Sequence, residues 1–266
     1  MGLKEWVEDI ECLLAKTRQD LRLKGCSGFN GGNISIRLTD NYLCFRPDPK
    51  DWVSLSTTIP DISKKFFFVT GSGKNIVSGL WDSAGIIEID DKGKNYRKVY
   101  GFCDNIEPTS ELLMHLRTHA VVGPDKKVVL HAHTPNLITI TYMRGVTIRN
   151  VTDTLWKSHI ECVLWFPKGV GYIPWIMSGS ERLAIATSQL FRNVDLVLWQ
   201  WHGVVGVGTN VDEASGIIDM AEKAAGTFIK TAQFPDSVKG HRPGKQTIEQ
   251  IAANFKIDYN KNLLLP

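Results

Sequence analysis

The sequence predicts one α/β domain with a mixed or largely antiparallel sheet. Three observations carry this. Stretches with strand and helix periodicity interleave along the whole chain, the pattern of an α/β class rather than of separate helical and sheet domains. Several neighbouring strand stretches are joined by short turns, so they pair as hairpins and set antiparallel neighbours in the sheet. No long linker, internal repeat or low-complexity tract divides the 266 residues, a length that one domain can hold.

The elements follow in order. Trp6, Ile10, Leu13, Leu14, Thr17 and Leu21 recur at helical spacing and predict an amphipathic helix from about residue 3 to 24. The glycines of GCSGFNGGN, Gly25 to Asn33, break it, and Ile34 to Leu38 then read as a strand. Residues 41 to 63, rich in Pro, Asp, Ser and Thr, read as a surface excursion. KFFFVTGSGKN is a strand running into a glycine turn, and GIIEID and RKVYGF are the arms of a hairpin turning near Gly93. In EPTSELLMHLRTHA a helix follows Pro108 and Thr109, with Leu112, Leu113 and Leu116 as its apolar face. KVVLHAH is a strand, and PNLITITYMR a helix with Pro135 in its first turn. ECVLWFP and GYIPW read as apolar strands around KGVG, and SERLAIATSQLFR as a helix. DLVLWQWHGVVGVG gives two short strands around His202 and Gly203. VDEASGIIDMAEKAAGTFIKTAQF is a long helix and KQTIEQIAANF the last one.

Composition narrows the function classes. A net charge of +3 and the absence of any Lys/Arg block argue against nucleic acid as a partner. No apolar run approaches the ~18 residues of a membrane span. The chain opens directly into helical periodicity at Trp6, so no signal peptide is expected. Cys12, Cys26, Cys44, Cys103 and Cys162 are odd in number and form no C-x-x-C pair, so reduced thiols in a cytoplasmic protein are expected.

His131 and His133 lie at i and i+2 on a strand, so both rings face one side and can reach one ion. Two satisfied core histidines would share that pattern. A catalytic metal of the zinc type takes three protein ligands and keeps one position open. Of the remaining histidines, His202 stands out, at a strand end followed by nearby glycines that let backbone approach a site. His115 and His119 share a helix face at i, i+4, but with no H-E-x-x-H frame they read as surface or helix-face residues. GFNGGNIS runs from helix to strand, the reverse of a dinucleotide-binding loop. TGSGKN fails the P-loop pattern at Phe68 and Asn75. Both turns can still offer backbone N–H groups to an anion, as can the helix start at Thr109 and Ser110. Plain chain reversal and N-capping are the ordinary uses of such residues. Glu111 in the first turn reads as a capping carboxylate or, if the fold brings it to the metal, as a general base.

Taken in order, NGGNISIRL, VTGSGKN, EPTSELLMH, HAHTPNLITITY, ECVLWFPKGVGYIPW and WHGVVGVGTNVDEASGIIDMAEKAA resemble the class II aldolases that act on sugar phosphates. FPKGVGYIPW points to their rhamnulose-phosphate branch, and the resemblance runs from about Leu21 to Phe255. It implies a three-layer α/β/α single domain over residues 1–266, one zinc ion per subunit and a homotetramer. It maps the zinc ligands onto His131, His133 and His202 and the acid–base group onto Glu111. Asn30, Gly31, Asn33, Ser72, Gly73, Thr109 and Ser110 fall in its phosphate site, and Glu161 of a neighbouring subunit beside the aldehyde half. The implied reaction is reversible cleavage of L-rhamnulose 1-phosphate to dihydroxyacetone phosphate and L-lactaldehyde. A fuculose-phosphate aldolase, a pentulose-phosphate 4-epimerase or a non-catalytic sugar-phosphate binder would share the histidines.

Overall fold

The computed structural model describes residues 32–38, 51–73, 84–102, 106–238 and 242–265, together with Gln19 and Gly25. The helix expected at about 3 to 24 lies outside them apart from Gln19. Nine strands among the described residues form one sheet: β1 (Asn33–Arg37), β2 (Val53–Ser54), β3 (Phe66–Thr70), β4 (Ala84–Ile89), β5 (Asn95–Gly101), β6 (Val128–Ala132), β7 (Gly171–Ile173), β8 (Leu196–Trp199) and β9 (Gly203–Gly208). Their order is β2-β5-β4-β3-β1-β6-β9-β8-β7. The β7–β8 pair is parallel and every other pair antiparallel, so the expected mixed, largely antiparallel sheet is found.

Helices cover both faces. They are α1 (Leu112–Val122), α2 (Pro135–Ile140), α3 (Ile148–Ser158), α4 (Cys162–Trp165), α5 (Glu181–Leu190), α6 (Val211–Ala232), α7 (Pro235–Val238) and α8 (Lys245–Asn254). Alternation along each strand divides the core between the two sides. On β6, Val128, Leu130 and Ala132 pack with Ile217, Ile218 and Ala221 of α6, whereas Val129 joins Met114 of α1 and Leu183 of α5. The α/β/α layering implied by the resemblance is therefore present. β6 is buried on both faces, so His131 stands inside the molecule, while His133, just past the strand end, is partly exposed.

Two expectations change, and one helix is added. ECVLWFP is not a strand: Cys162–Trp165 is one helical turn, with the Cys162 thiol 3.9 Å from the Met220 carbonyl of α6. An apolar run of four residues is too short to carry a period that separates strand from helix. The described part of the 41–63 excursion, from Asp51 on, adds the edge strand β2 and buries Leu55, Ile59 and Ile62 against Phe67 and Leu116. Helix α3, which no expectation covered, starts on a capping box between Thr147 and Asn150.

Helix α2 is shorter than PNLITITYMR suggests and ends at Ile140. The Thr141 hydroxyl donates back to the Ile138 carbonyl and accepts from the Trp201 N–H, which ties the helix end to the residue before His202. Its start is equally specific. Pro135 has no N–H to satisfy, and Thr134 makes no side-chain cap. Glu222 of α6 takes that place. Its carboxylate accepts from the Asn136 N–H at 2.8 Å and from the Leu137 N–H at 2.8 Å, and also from the Asn136 amide at 2.7 Å. The segment after His133 is thereby fixed at both ends.

Candidate active site

β6 delivers His131 and His133 to the α1 side of the sheet, and the turn between β8 and β9 delivers His202. Gly203 makes this approach possible: a Cβ there would lie 2.9 Å from Cε1 of His131 and 3.2 Å from Cδ2 of His133. The three ring centroids stand 4.8–4.9 Å apart, and one nitrogen of each ring falls within 4.8 Å of the others. His131 Nε2 and His133 Nε2 are 3.0 Å apart. The His131 Nδ1–H donates to the Val204 carbonyl at 3.0 Å, so Nε2 carries the lone pair and faces the cluster. Ser178 Oγ lies 3.3 Å from His202 Nδ1, leaving Nε2 of that ring turned inward. Trp199, its indole N–H bonded to Thr187, walls the cluster 4.7 Å from the His131 ring.

Burial lowers the proton affinity of all three rings. Burial, reinforced by His133, pushes His131 down to about 3. Burial and His131 take His202 to about 4 against the pull of Glu111. Burial also lowers His133. Three imidazoles with lowered proton affinity and converging ring nitrogens are the donor set of a three-histidine metal site. Ligands ~2.1 Å from one ion in tetrahedral array stand roughly 3.4 Å apart; the His131 and His133 Nε2 atoms already lie 3.0 Å apart, and the three ring nitrogens within 4.8 Å of one another.

Glu111 is buried at the cluster's edge, 6% exposed. Its oxygens lie 3.7 Å from His131 Nε2 and 4.0 Å from His202 Nε2. It is the residue just ahead of α1, and its side chain does not cap the helix. It accepts from the Asn33 amide at 3.0 Å. Asn33 reaches it because β1 pairs with β6 in a register that puts Asn33 opposite His131. Gly32, at φ +87°, packs on the His131 carbonyl where a Cβ would not fit.

The glycine turn and the helix start are also brought together. The end of β3 pairs with the segment before α1: Ser72 N–H donates to Glu107, Thr109 N–H to Thr70, and Gly71 bridges Pro108. Ser72, Gly73, Thr109 and Ser110 thus share one corner, joined to the cluster through Glu111. Asn30 and Gly31 lie outside the described residues. Glu161 is exposed at the start of α4 and shares no hydrogen bond or ion pair with the cluster among the described residues.

His115 and His119 depart from expectation. They do share a helix face, but neither is at the surface: both are fully buried, and both bond the Ser35 hydroxyl, at 2.7 and 2.8 Å. The signal was in the strand. Ile34 and Ile36 take one core face, so Asn33, Ser35 and Arg37 face the other side of a sheet covered on both sides, and they need buried polar partners. Burial pushes His115 to about 3 and His119 well below its ordinary value. A histidine that is neutral when folded and protonated when unfolded opposes folding on acidification. Each ring should therefore cost about 1.4 kcal/mol per pH unit as pH falls below ~6.5. The urea midpoint should drop between pH 7 and 5, before most carboxylates titrate; an unchanged midpoint would contradict the burial of these rings.

The sheet and its histidine cluster define an α/β/α protein of the class II aldolase type. Residues 12–229 match the class II aldolase and adducin N-terminal domain family, and the chain belongs to that family. It is 37% identical to the rhamnulose-1-phosphate aldolase of Mannheimia succiniciproducens over 248 residues, 89% of each chain. It is also 37% identical to that of Escherichia coli O157:H7, over 82% of this chain and 83% of the relative. Among solved structures it resembles a sugar-phosphate aldolase from Thermotoga maritima, with a TM-score of 0.74 and 28% identity over 86% of this chain and 97% of the other. An L-fuculose 1-phosphate aldolase shares the fold at 21% identity, with a TM-score of 0.63 over 94% of this chain and 97% of the other.

Proposed function

We propose that the enzyme reversibly cleaves L-rhamnulose 1-phosphate to dihydroxyacetone phosphate and L-lactaldehyde, with one zinc ion per subunit held by His131, His133 and His202. The observation that carries this is a buried carboxylate, Glu111, aimed at the open side of three neutral imidazoles. The substrate comes from the rhamnulose-1-phosphate aldolases to which the chain is similar over about nine-tenths of its length.

When bound among neutral ligands, zinc keeps its +2 charge and supplies Lewis-acid stabilisation to negative charge developing on ketose oxygens. The chain's own residues do the rest. Ser72, Thr109 and Ser110 offer hydroxyls to the phosphate beside the Gly73 turn, so its binding energy positions the carbons to be parted. Asn33 keeps a second amide hydrogen for this beyond the one given to Glu111, and Asn30 and Gly31 complete the set. Glu111 exchanges the proton at C3 of the dihydroxyacetone phosphate half. Trp199 closes the inner wall against water.

The enzyme is a homotetramer in this reading, with Glu161 of one subunit beside the aldehyde half in the next. Tyr142, Trp175, Met177 and Trp201 around the site mouth are 67%, 57%, 63% and 49% exposed, more apolar surface in one place than a monomer usually leaves wet. Its compartment is the cytoplasm, where the free Cys162 stays reduced. No helix among the described residues is long and apolar enough to cross a membrane.

A coupled assay of dihydroxyacetone phosphate release tests the reading, run on rhamnulose 1-phosphate and fuculose 1-phosphate side by side, with and without chelator. Release from the first, abolished by chelator, is expected. No release by zinc-loaded protein, or preference for the second, would overturn it.

A further inference from the structure

β1 and α1 face each other with matched polar periods. The strand presents Asn33, Ser35 and Arg37 at every second position, and the helix side presents Glu111, His115 and His119 at every fourth. The side chains interlock: Asn33 bonds Glu111 and His115, Ser35 bonds His115 and His119, and Arg37 donates to the His119 carbonyl. Only Asn33 and Glu111 of this set lie at the cluster.

Chemistry fixes the direction of every bond. The Asn33 amide nitrogen donates to Glu111 Oε2 at 3.0 Å. The Asn33 oxygen then faces His115 Nε2 at 2.5 Å, and that nitrogen must carry the hydrogen. His115 Nδ1 is therefore bare, and Ser35 donates its hydroxyl to it at 2.7 Å. The Ser35 oxygen is left to accept, so His119 Nε2 is the donor at 2.8 Å. His119 Nδ1 must then be a bare acceptor, and it is buried with no hydrogen-bond partner among the described residues. A chain directed outward at a carboxylate has to start on an unused acceptor, and this one does.

We propose that His115 is a positioning residue for Glu111: it acts through Asn33, and Ser35 and His119 hold its ring in the one tautomer that can do so. The inference rests on Glu111 being the acid–base group. Among the described residues, Asn33 supplies the one hydrogen bond to the Glu111 carboxylate. An asparagine amide can turn over and present its oxygen instead. The His115 N–H holds that oxygen on the far side, so the N–H end stays on Glu111 and sets where the carboxylate stands against the substrate carbon. His115 touches neither substrate nor metal in this arrangement.

The test uses the full-length, zinc-loaded enzyme. His115→Phe keeps a ring and removes both nitrogens. It should lower kcat by about 10- to 100-fold, with KM for the phosphorylated ketose and bound zinc little changed. His115→Gln, which returns an N–H near the Nε2 position, should recover most of the loss. In a Glu111→Ala background, His115→Phe should cost almost nothing further, because both act as one unit. A purely structural zipper would instead lower stability and leave kcat of the folded enzyme intact. Unchanged kcat in His115→Phe, loss of zinc that accounts for its defect, or an equal loss in both backgrounds overturns the proposal. Should His115→Phe not fold, Ser35→Ala keeps the ring and frees its tautomer. A several-fold fall in kcat with KM unchanged supports the proposal there, and an unchanged kcat overturns it. The Glu111→Ala enzyme itself separates the two readings: full turnover removes the acid–base assignment, whereas collapse there beside an inert His115→Phe removes only the positioning role.

Discussion

Glu111→Ala should lower turnover by about 10²- to 10⁴-fold, the range of a positioned acid–base group, while zinc stays near one ion per chain. The geometry separates the two readouts. The carboxylate oxygens lie 3.7 and 4.0 Å from the nearest imidazole nitrogens, close enough to serve a substrate held among those rings but without a shared hydrogen bond. The histidines hold their places without Glu111: His131 is bonded to the Val204 carbonyl, and His202 lies beside Ser178. Truncation leaves the half-buried Asn33 amide short of one acceptor, at a cost of about 1 kcal/mol, which a domain of this size survives. Glu111→Gln keeps the shape and should be nearly as inactive, since an amide does not take up the proton. The check pairs steady-state kinetics with metal analysis of the same samples. Wild-type turnover in either variant would reject Glu111 as the acid–base group, and loss of zinc in Glu111→Ala would make it a ligand instead.

The parts of the molecule legible in the sequence are those whose pattern is local. His131 and His133 are separated by one residue on a strand, and a period of two decides that they share a face. His202 follows from its place between two short apolar strands, which the β8–β9 hairpin bears out. The long α6 and the β4–β5 hairpin at Gly93 are likewise set by neighbours in sequence. What stayed hidden depends on partners far along the chain. Cys162–Trp165 is a helix because α6 buries it from one side, and an apolar run of four residues does not announce that. The i, i+4 pair His115 and His119 looked like a surface stripe because the residue that satisfies both, Ser35, lies 80 and 84 positions away. Pro135 marked a helix start, but its capping group, Glu222, stands 86 residues downstream of Asn136. The polar face of β1 was the available clue: a strand with isoleucines on one side and Asn, Ser and Arg on the other, in a chain with helices enough to cover both faces.

Replacing any one of His131, His133 and His202 by Ala should lower bound zinc and abolish the chelator-sensitive activity, but the three should differ in stability. His131 is buried to 1% exposure, packs on Trp199 and donates to Val204. Its loss opens a cavity and orphans a carbonyl, so His131→Ala should cost about 2–4 kcal/mol of folding stability even without metal. His202 is partly exposed, with 23% of its side chain accessible, and Ser178 is the one hydrogen-bond partner of its ring among the described residues. His202→Ala should lose the metal with little change in the metal-free fold. A second effect works in its favour. Without an ion, the His133 Nε2–H donates to the bare Nε2 of His131 at 3.0 Å, a contact that does not involve His202. Removing the third ring leaves that contact in place, so metal-free His202→Ala should match metal-free wild type in urea, whereas zinc should raise the midpoint of wild type alone. Each tenfold excess of zinc over its dissociation constant adds about 1.4 kcal/mol to the wild-type fold. Metal analysis after dialysis and urea titrations with and without zinc read both quantities. Stoichiometric zinc retained in all three variants would sink the site, and a zinc-dependent midpoint surviving in His202→Ala would remove His202 from it.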